Sequence, residues 1–236
     1  MSKKLLIGVI VADKDEFNPF VKAAEKYNIQ EYTLLGKKGI TFEINGATVI
    51  CINCGIGKVN ASAVASALAS LNSNAILNFG LSGGISGASR GGLCVPDKFL
   101  EHDFDLTVLG YKPCEKPNQK YVYEVNSKLK EIFKTVANTE FSGTAVCGDR
   151  FICSKEDSDF FRDTFSATTC DMETAAIASV CDMANIPFAA LRRISDDAGD
   201  TATESYTEMN TSGELYLPNI FLNILLKVAD LYGGKA

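Results

Sequence analysis

Asp171-Met-Glu-Thr-Ala-Ala-Ile-Ala-Ser-Val180 and, beyond Pro187, Phe188-Ala-Ala-Leu-Arg-Arg-Ile-Ser-Asp-Asp197 form the stretch on which the fold turns. An acidic pair, Asp171 and Glu173, opens a helical run; a short loop follows, then an apolar strand that ends abruptly in charged residues. A strand apolar on both faces is buried in an α/β sheet, and polar residues just past its C-terminal end sit where such sheets bind ligands. One carboxylate at a helix start and another at a strand end are therefore expected to share a crevice.

Outward from there, helices and strands alternate. Strand 4–12 leads to helix 14–27. Strands at 31–35, 40–44 and 47–53 follow, the last two joined by Asn45-Gly46, a strong hairpin turn. Helix 58–72 is rich in small residues and should pack closely. Strand 75–79 runs into the glycine-rich segment Gly80–Gly87; strand 93–100, an irregular part with Pro113 and Pro117, and helix 126–137 come next. Strand 143–148, helix 154–164, the helix after Asp171, strand 187–194 and a helix over 219–232 complete the pattern. Neither repeat nor linker interrupts it. The reading is one α/β domain over residues 1–236 with a mixed, mostly parallel central sheet.

Composition excludes several classes. Of 236 residues, 46% are hydrophobic and 22% charged, as in globular proteins. A net charge of -6 without a basic tract argues against nucleic-acid binding. No apolar run reaches the ~20 residues that span a bilayer, and Leu5–Ala12 reads as a buried first strand rather than a leader, because acids follow at once. These features point to a cytoplasmic protein. Of eight cysteines, only Cys51-Ile-Asn-Cys54 has metal or redox spacing. It falls on a strand, where residues three apart point to opposite faces, so buried free thiols are the preferred reading over a metal pair. The sole histidine, His102, makes a serine–histidine triad improbable.

Four segments besides the opening one carry candidate chemistry, each with a plainer alternative. Asp13-Lys-Asp-Glu16 fits a reciprocal helix cap, or else aims Glu16 into the sheet-end crevice as a base. Gly55-Ile-Gly-Lys58 is either a turn or a close backbone approach to a ligand; it is neither a Walker loop nor a dinucleotide fingerprint. Asn78-Phe-Gly-Leu-Ser-Gly-Gly84 exposes amides, yet no Lys or Arg lies between Lys58 and Arg90, which favours a neutral ligand over a phosphate. Phe151, after Asp149-Arg150, is a core residue or a stacking face for a planar base.

Taken in order, Ala12–Glu16, Gly55-Ile-Gly-Lys-Val59, Asn78–Gly84, Met172-Glu173 and Arg192 with Ser195-Asp196 resemble the 5'-methylthioadenosine/S-adenosylhomocysteine nucleosidases of the purine nucleoside phosphorylase superfamily. His102-Asp103 and Gly148-Asp149 with Phe151-Ile152 add to the likeness, which runs from about residue 5 to the last helix. The resemblance implies a three-layer α/β/α domain with a mixed central sheet, hydrolysis of an adenine nucleoside without cofactor or metal, and a homodimer. It implies that Glu16 activates the water and that Asp196, oriented by Ser195, protonates purine N7. Met172 and Glu173 would hold the ribose, with Arg192 supporting Glu173 and the water. Phe151 would stack on adenine, the Ile152 backbone would read the base edge, Ile56 and Tyr206 would line the 5' side, and Ser82 the water and ribose loop. The sequence departs from the family pattern at Leu81, where a serine is usual, at Asp13, where an apolar residue is usual, and in Asp197 beside Asp196. A phosphorylase, a nucleosidase for another 5'-modified adenosine, and a non-catalytic nucleoside-binding homologue stand as alternatives.

Overall fold

The computed structural model describes residues 5–233. In chain order the elements are β1 (Leu5–Val11), α1 (Lys14–Ala24), β2 (Gln30–Leu34), β3 (Lys37–Ile44), β4 (Ala47–Asn53), α2 (Lys58–Ser70) and β5 (Ala75–Gly84). Then come β6 (Leu93–Cys94), β7 (Lys98–Glu101), β8 (Val122–Glu124), α3 (Ser127–Ala137), β9 (Thr144–Cys147) and α4 (Lys155–Phe165). β10 (Ala167–Asp171), α5 (Thr174–Ala184), β11 (Phe188–Asp196), α6 (Ala202–Asn210) and α7 (Tyr216–Gly233) complete the order.

The strands form one mixed sheet in the order β2-β3-β4-β1-β5-β10-β9-β7-β8, with β11 beside β5 and β6 beside β11. β1 pairs in parallel with β4 and β5, and β5 in parallel with β11. The β3–β4 hairpin turns at Asn45-Gly46, both at positive φ. Side-chain alternation builds the two outer layers. Ile7, Val9 and Val11 of β1, with Val49 and Cys51 of β4, pack against α1, α3 and α7; Ile10, Ile50 and Ile52 pack against α2 and α5. The result is the expected α/β/α sandwich. Cys51 and Cys54 fall in the two different cores, as strand periodicity requires. Phe20, Phe79 and Phe221 anchor the first core, Phe79 and Phe221 with ring centroids 4.4 Å apart. Truncating Phe221 to alanine is worth about 3–5 kcal/mol. In the second core, α2 comes so close to β1 that a Cβ on Gly8 would meet Leu68 at 3.0 Å, which explains the helix's small residues.

Four differences from the sequence reading concern the site. β5 does not stop at Phe79 but continues through Gly84, because bare glycines let β10 and β11 approach it from both sides. A Cβ on Gly84 would lie 3.0 Å from Ile194. The strand expected over 93–100 is split into β6 and β7 around Pro96, which cannot donate to a ladder. β10, a short Ala-Thr-Thr-Cys-Asp run, and α6, a polar helix with only Ala202 buried, carry too little hydrophobic pattern to be read and were not foreseen.

Candidate active site

Six strands deliver their C-terminal ends, or the loops just beyond them, to one cavity of about 320 Å3. All eleven residues singled out in the sequence line it: Glu16 after β1, Ile56 after β4, Ser82 in β5, Phe151 and Ile152 after β9, Met172 and Glu173 after β10, Arg192, Ser195 and Asp196 in β11, and Tyr206 in α6.

Asp13 caps α1 through Oδ1, which accepts the Asp15 amide at 2.8 Å. The reciprocal half of that cap is absent. Glu16 turns away from its own helix end, and its Oε1 accepts the Leu81 amide at 2.6 Å. The Leu81 side chain thus matters less than its N–H, which any residue there would supply. Burial raises the Glu16 pKa to about 7, against the Leu81 amide and Arg192. Arg192 is 2% exposed; its Nη2 donates to Asn78 Oδ1 at 2.5 Å, and its Nε lies 3.4 Å from Asp171 Oδ2. Asn78 is fixed in turn by donating to the Ile10 carbonyl at 2.8 Å. Gly80 packs into this cluster, and a Cβ there would stand 2.7 Å from Arg192 Nη1 and 2.8 Å from Glu16 Oε1.

The acidic pair divides into two jobs. Asp171 Oδ1 accepts the amides of Glu173 and Thr174 at 2.9 and 2.8 Å, and Oδ2 accepts the Thr174 hydroxyl at 2.7 Å, so it closes the start of α5. Glu173 faces the cavity and accepts the Gly57 amide at 2.9 Å. Burial, reinforced by Asp171, raises its pKa to about 7.

The third carboxyl is Asp196, 3% exposed. Oδ1 accepts the Ala198 amide at 2.9 Å and Oδ2 lies 2.6 Å from the Ser195 hydroxyl, which fixes the carboxyl plane. Burial raises its pKa, although Ser195 and Ala198 oppose the rise. Asp197 beside it turns its Oδ1 to the Gly199 amide at 3.1 Å and does not line the cavity. Ser82 donates its hydroxyl hydrogen to the Cys170 carbonyl at 2.7 Å, strapping β5 to β10. Phe151, 39% exposed, meets the Tyr206 ring edge-on at 5.4 Å, while Ile152 is buried.

A ring of charges outside the cavity ties two of its loops together. The Asp149 carboxylate accepts the Lys58 amide at 2.8 Å, and Asp103 accepts the Asp149 amide at 2.9 Å and the Lys58 ammonium at 2.5 Å. α2 has no side-chain cap of its own. Asp149 and Glu173 cap it from two other loops, so one helix end registers both. His102 packs on Phe161 with ring centroids 4.5 Å apart, and burial lowers its pKa; it is a structural ring outside the cavity lining.

Among the site residues, the sequence alone left Asn78, the Leu81 amide, Gly80 and Asp149 without these contacts. Asn78 had a signal, a lone amide inside the apolar run Ile76-Leu77-Asn78-Phe79. The other contacts join segments distant in sequence. Among the described residues, no group of three or more His, Cys, Asp or Glu could hold a metal ion. Three carboxyls of raised proton affinity, one buried guanidinium and an exposed aromatic face suit proton transfer to and from a planar, neutral ligand.

Comparison with known proteins bears on the identity of this arrangement. The family model of the phosphorylase superfamily matches residues 6–221. A 5'-methylthioadenosine/S-adenosylhomocysteine nucleosidase of Tolumonas auensis is 31% identical over 210 residues, 86% of this chain and 90% of that protein. Of solved structures, the nucleosidase of the same name from Helicobacter pylori superposes with a TM-score of 0.89 at 24% identity, covering 96% of this chain and 100% of that one. A futalosine hydrolase mutant of Helicobacter pylori superposes with a TM-score of 0.89 at 23% identity, covering 94% and 99%.

Proposed function

This chain belongs to the phosphorylase superfamily and, within it, to the 5'-methylthioadenosine/S-adenosylhomocysteine nucleosidases, and we propose on that premise that it hydrolyses the N-glycosidic bond of 5'-thio-substituted adenine nucleosides and releases adenine. The observation that carries this reading is the pair of carboxyls, Glu16 and Asp196, delivered to one cavity by different strands and both biased toward holding a proton.

In this reading adenine stacks on Phe151 and its edge meets the Ile152 backbone. Met172 and Glu173 hold the ribose, and Ile56 and Tyr206 line the 5' arm. The bond from C1' to the base breaks, its electron pair passes to the base, and Asp196 delivers a proton to N7 so that adenine leaves neutral. Water adds to the oxocarbenium-like C1' and gives its proton to Glu16. Glu16 must therefore be ionised and Asp196 protonated when the bond breaks; burial favours the proton on Asp196, and the Leu81 amide and Arg192 favour the charge on Glu16. With the Ser82 hydroxyl hydrogen spent on Cys170, the Leu81 amide is the loop's contribution to orienting Glu16.

Water rather than phosphate is favoured as nucleophile by charge. The cavity lining carries five carboxylic residues against two arginines. Arg192 is engaged with Asn78 and Asp171, and Arg150 with Asp157; Arg193 pairs outside with Glu214. A phosphate dianion would need cations free to receive it.

The assay is base release from methylthioadenosine, adenosylhomocysteine, adenosine, inosine and uridine, each with and without phosphate. Adenine release should not need phosphate, and Asp196→Asn or Glu16→Gln should each lower it ~10²–10⁴-fold. A phosphate requirement with formation of ribose 1-phosphate overturns the reading in favour of a phosphorylase. Native activity in Asp196→Asn removes that residue as the acid.

We read the working unit as a homodimer in the cytosol. Ile56 at the cavity is 51% exposed, and Val59 at the start of α2, Val108 and Leu109 are exposed as well, apolar surface suited to a second copy. All eight cysteines are unpaired, seven of them buried, as suits a reducing compartment.

A further inference from the structure

We infer that Asp13 makes the 5' end of the cavity a cation-accepting subsite, so that this chain favours adenine nucleosides whose 5' arm carries an ammonium group over those with a bare methylthio group. The inference rests on the proposed reading of the cavity, which puts the base against Phe151 and the ribose against Glu173, and leaves Ala12, Asp13, Ile56 and Tyr206 for the 5' arm.

The geometry of one carboxylate carries the argument. Asp13 Oδ1 is committed to capping α1. Among the described residues its Oδ2 meets two donors, the Tyr206 hydroxyl at 3.4 Å and the Asn210 amide at 3.3 Å. Both are neutral, and both distances lie beyond those of ordinary hydrogen bonds to oxygen, let alone the shorter ones that charge makes. No lysine or arginine among the described residues pairs with Asp13 within ion-pair distance. Asn210 stands outside the cavity lining, so Asp13 is the acceptor that this end of the cavity presents.

A side chain that only capped a helix would not need the cavity. Asp13 lines it, and the two arginines of the lining are engaged elsewhere, Arg192 with Asn78 and Asp171 and Arg150 with Asp157. A thioether leaves Asp13 Oδ2 desolvated and unanswered, whereas an ammonium on the 5' arm supplies both a charge and several N–H donors. The amino acid arm of adenosylhomocysteine carries such a group; methylthioadenosine does not.

The test compares kcat/KM at pH 7 for methylthioadenosine, adenosylhomocysteine and 5'-amino-5'-deoxyadenosine, in the native chain and in Asp13→Asn. Asparagine caps a helix as well as aspartate does, so the variant keeps α1 and loses the charge. The native chain should favour both ammonium nucleosides, and Asp13→Asn should lower the ratio of ammonium to methylthio kcat/KM about ten- to a hundredfold, the range of a charge-assisted hydrogen bond. A native preference for methylthioadenosine overturns the inference, and so does a ratio that Asp13→Asn leaves unchanged, which would shift any cation recognition to Glu16. The native ratio decides alone if the variant does not fold. Failure of the underlying reading looks different: no adenine is released from any of the three.

Discussion

Gly80→Ala places a single methyl between the two groups proposed to handle water. The added Cβ would stand 2.7 Å from Arg192 Nη1 and 2.8 Å from Glu16 Oε1. To reach the ordinary contact distance of 3.4 Å, each must retreat by about 0.6–0.7 Å. Neither is free to do so. Arg192 is anchored to Asn78 and ion-paired with Asp171, and Glu16 is held by the Leu81 amide, itself next to the substituted residue. Gly80 is not among the glycines at positive φ, so alanine strains no backbone torsion and the penalty is steric. Overpacking of this kind costs about 1–3 kcal/mol, or about 3–10 °C in Tm for a chain of this size. The effect on activity should be larger. A displacement approaching 1 Å at a catalytic group costs up to about a hundredfold, so kcat/KM for adenine release should fall about ten- to a hundredfold. The assay is adenine release from methylthioadenosine at a temperature where circular dichroism shows the variant fully folded. A folded Gly80→Ala within about threefold of native kcat/KM, less than 0.7 kcal/mol, would refute the claim that Glu16 and Arg192 work as a tightly fitted pair.

Four further outcomes follow from the same contacts. Glu16 acts ionised but has a pKa raised to about 7 by burial, so kcat/KM should fall about tenfold per pH unit below 7; a flat profile from pH 5 to 7 would remove it as the base. Asp196 acts protonated and burial raises its pKa, so a limb on which kcat/KM falls with rising pH belongs to it. Glu173, also raised to about 7, holds its proton in the folded chain to higher pH than in the unfolded one. Its stabilising proton is fully present below the unfolded pKa and lost as pH rises through 7, so Glu173→Gln should raise Tm more at pH 8 than at pH 5, and an equal change at both would contradict the assignment. Asp149→Ala removes the acceptor of the Lys58 amide and should cost about 1 kcal/mol of stability while raising KM about three- to tenfold through the Phe151 turn; Asp149→Asn, which keeps an acceptor oxygen, should restore KM, and equal KM in the two variants would reduce Asp149 to a surface residue.

Adjacent segments of the chain were legible to different degrees, for physical reasons. Leu5–Val11, Ala47–Asn53 and Phe188–Leu191 are apolar runs that only a buried strand can use, and the Asn45-Gly46 turn fixes the hairpin between β3 and β4. Short or polar elements such as β10 and α6 bury too little surface to impose a period, and their place is set by neighbours. Glycine-rich sequence misled in one direction: Gly80–Gly84 reads as a loop by propensity, yet becomes strand because β10 and β11 need its missing side chains.

The sequence by itself determined which residues could do chemistry. Residue type, position after a strand and the resemblance to the nucleosidases together picked out eleven candidates, and all eleven line one cavity because an α/β sheet gathers its C-terminal strand ends on one side. Tertiary structure decided what each acid is used for. Asp171 and Glu173 are two residues apart and both line the cavity, but both oxygens of the first are taken by the start of α5 while the second accepts the Gly57 amide through one oxygen. Asp13 and Glu16 read either as one reciprocal cap or with Glu16 aimed into the crevice, and the Leu81 amide, 65 residues away, draws Glu16 out of the cap. Hydrogen-bond partners and burial depend on segments that meet only in the folded chain, and these set protonation and orientation.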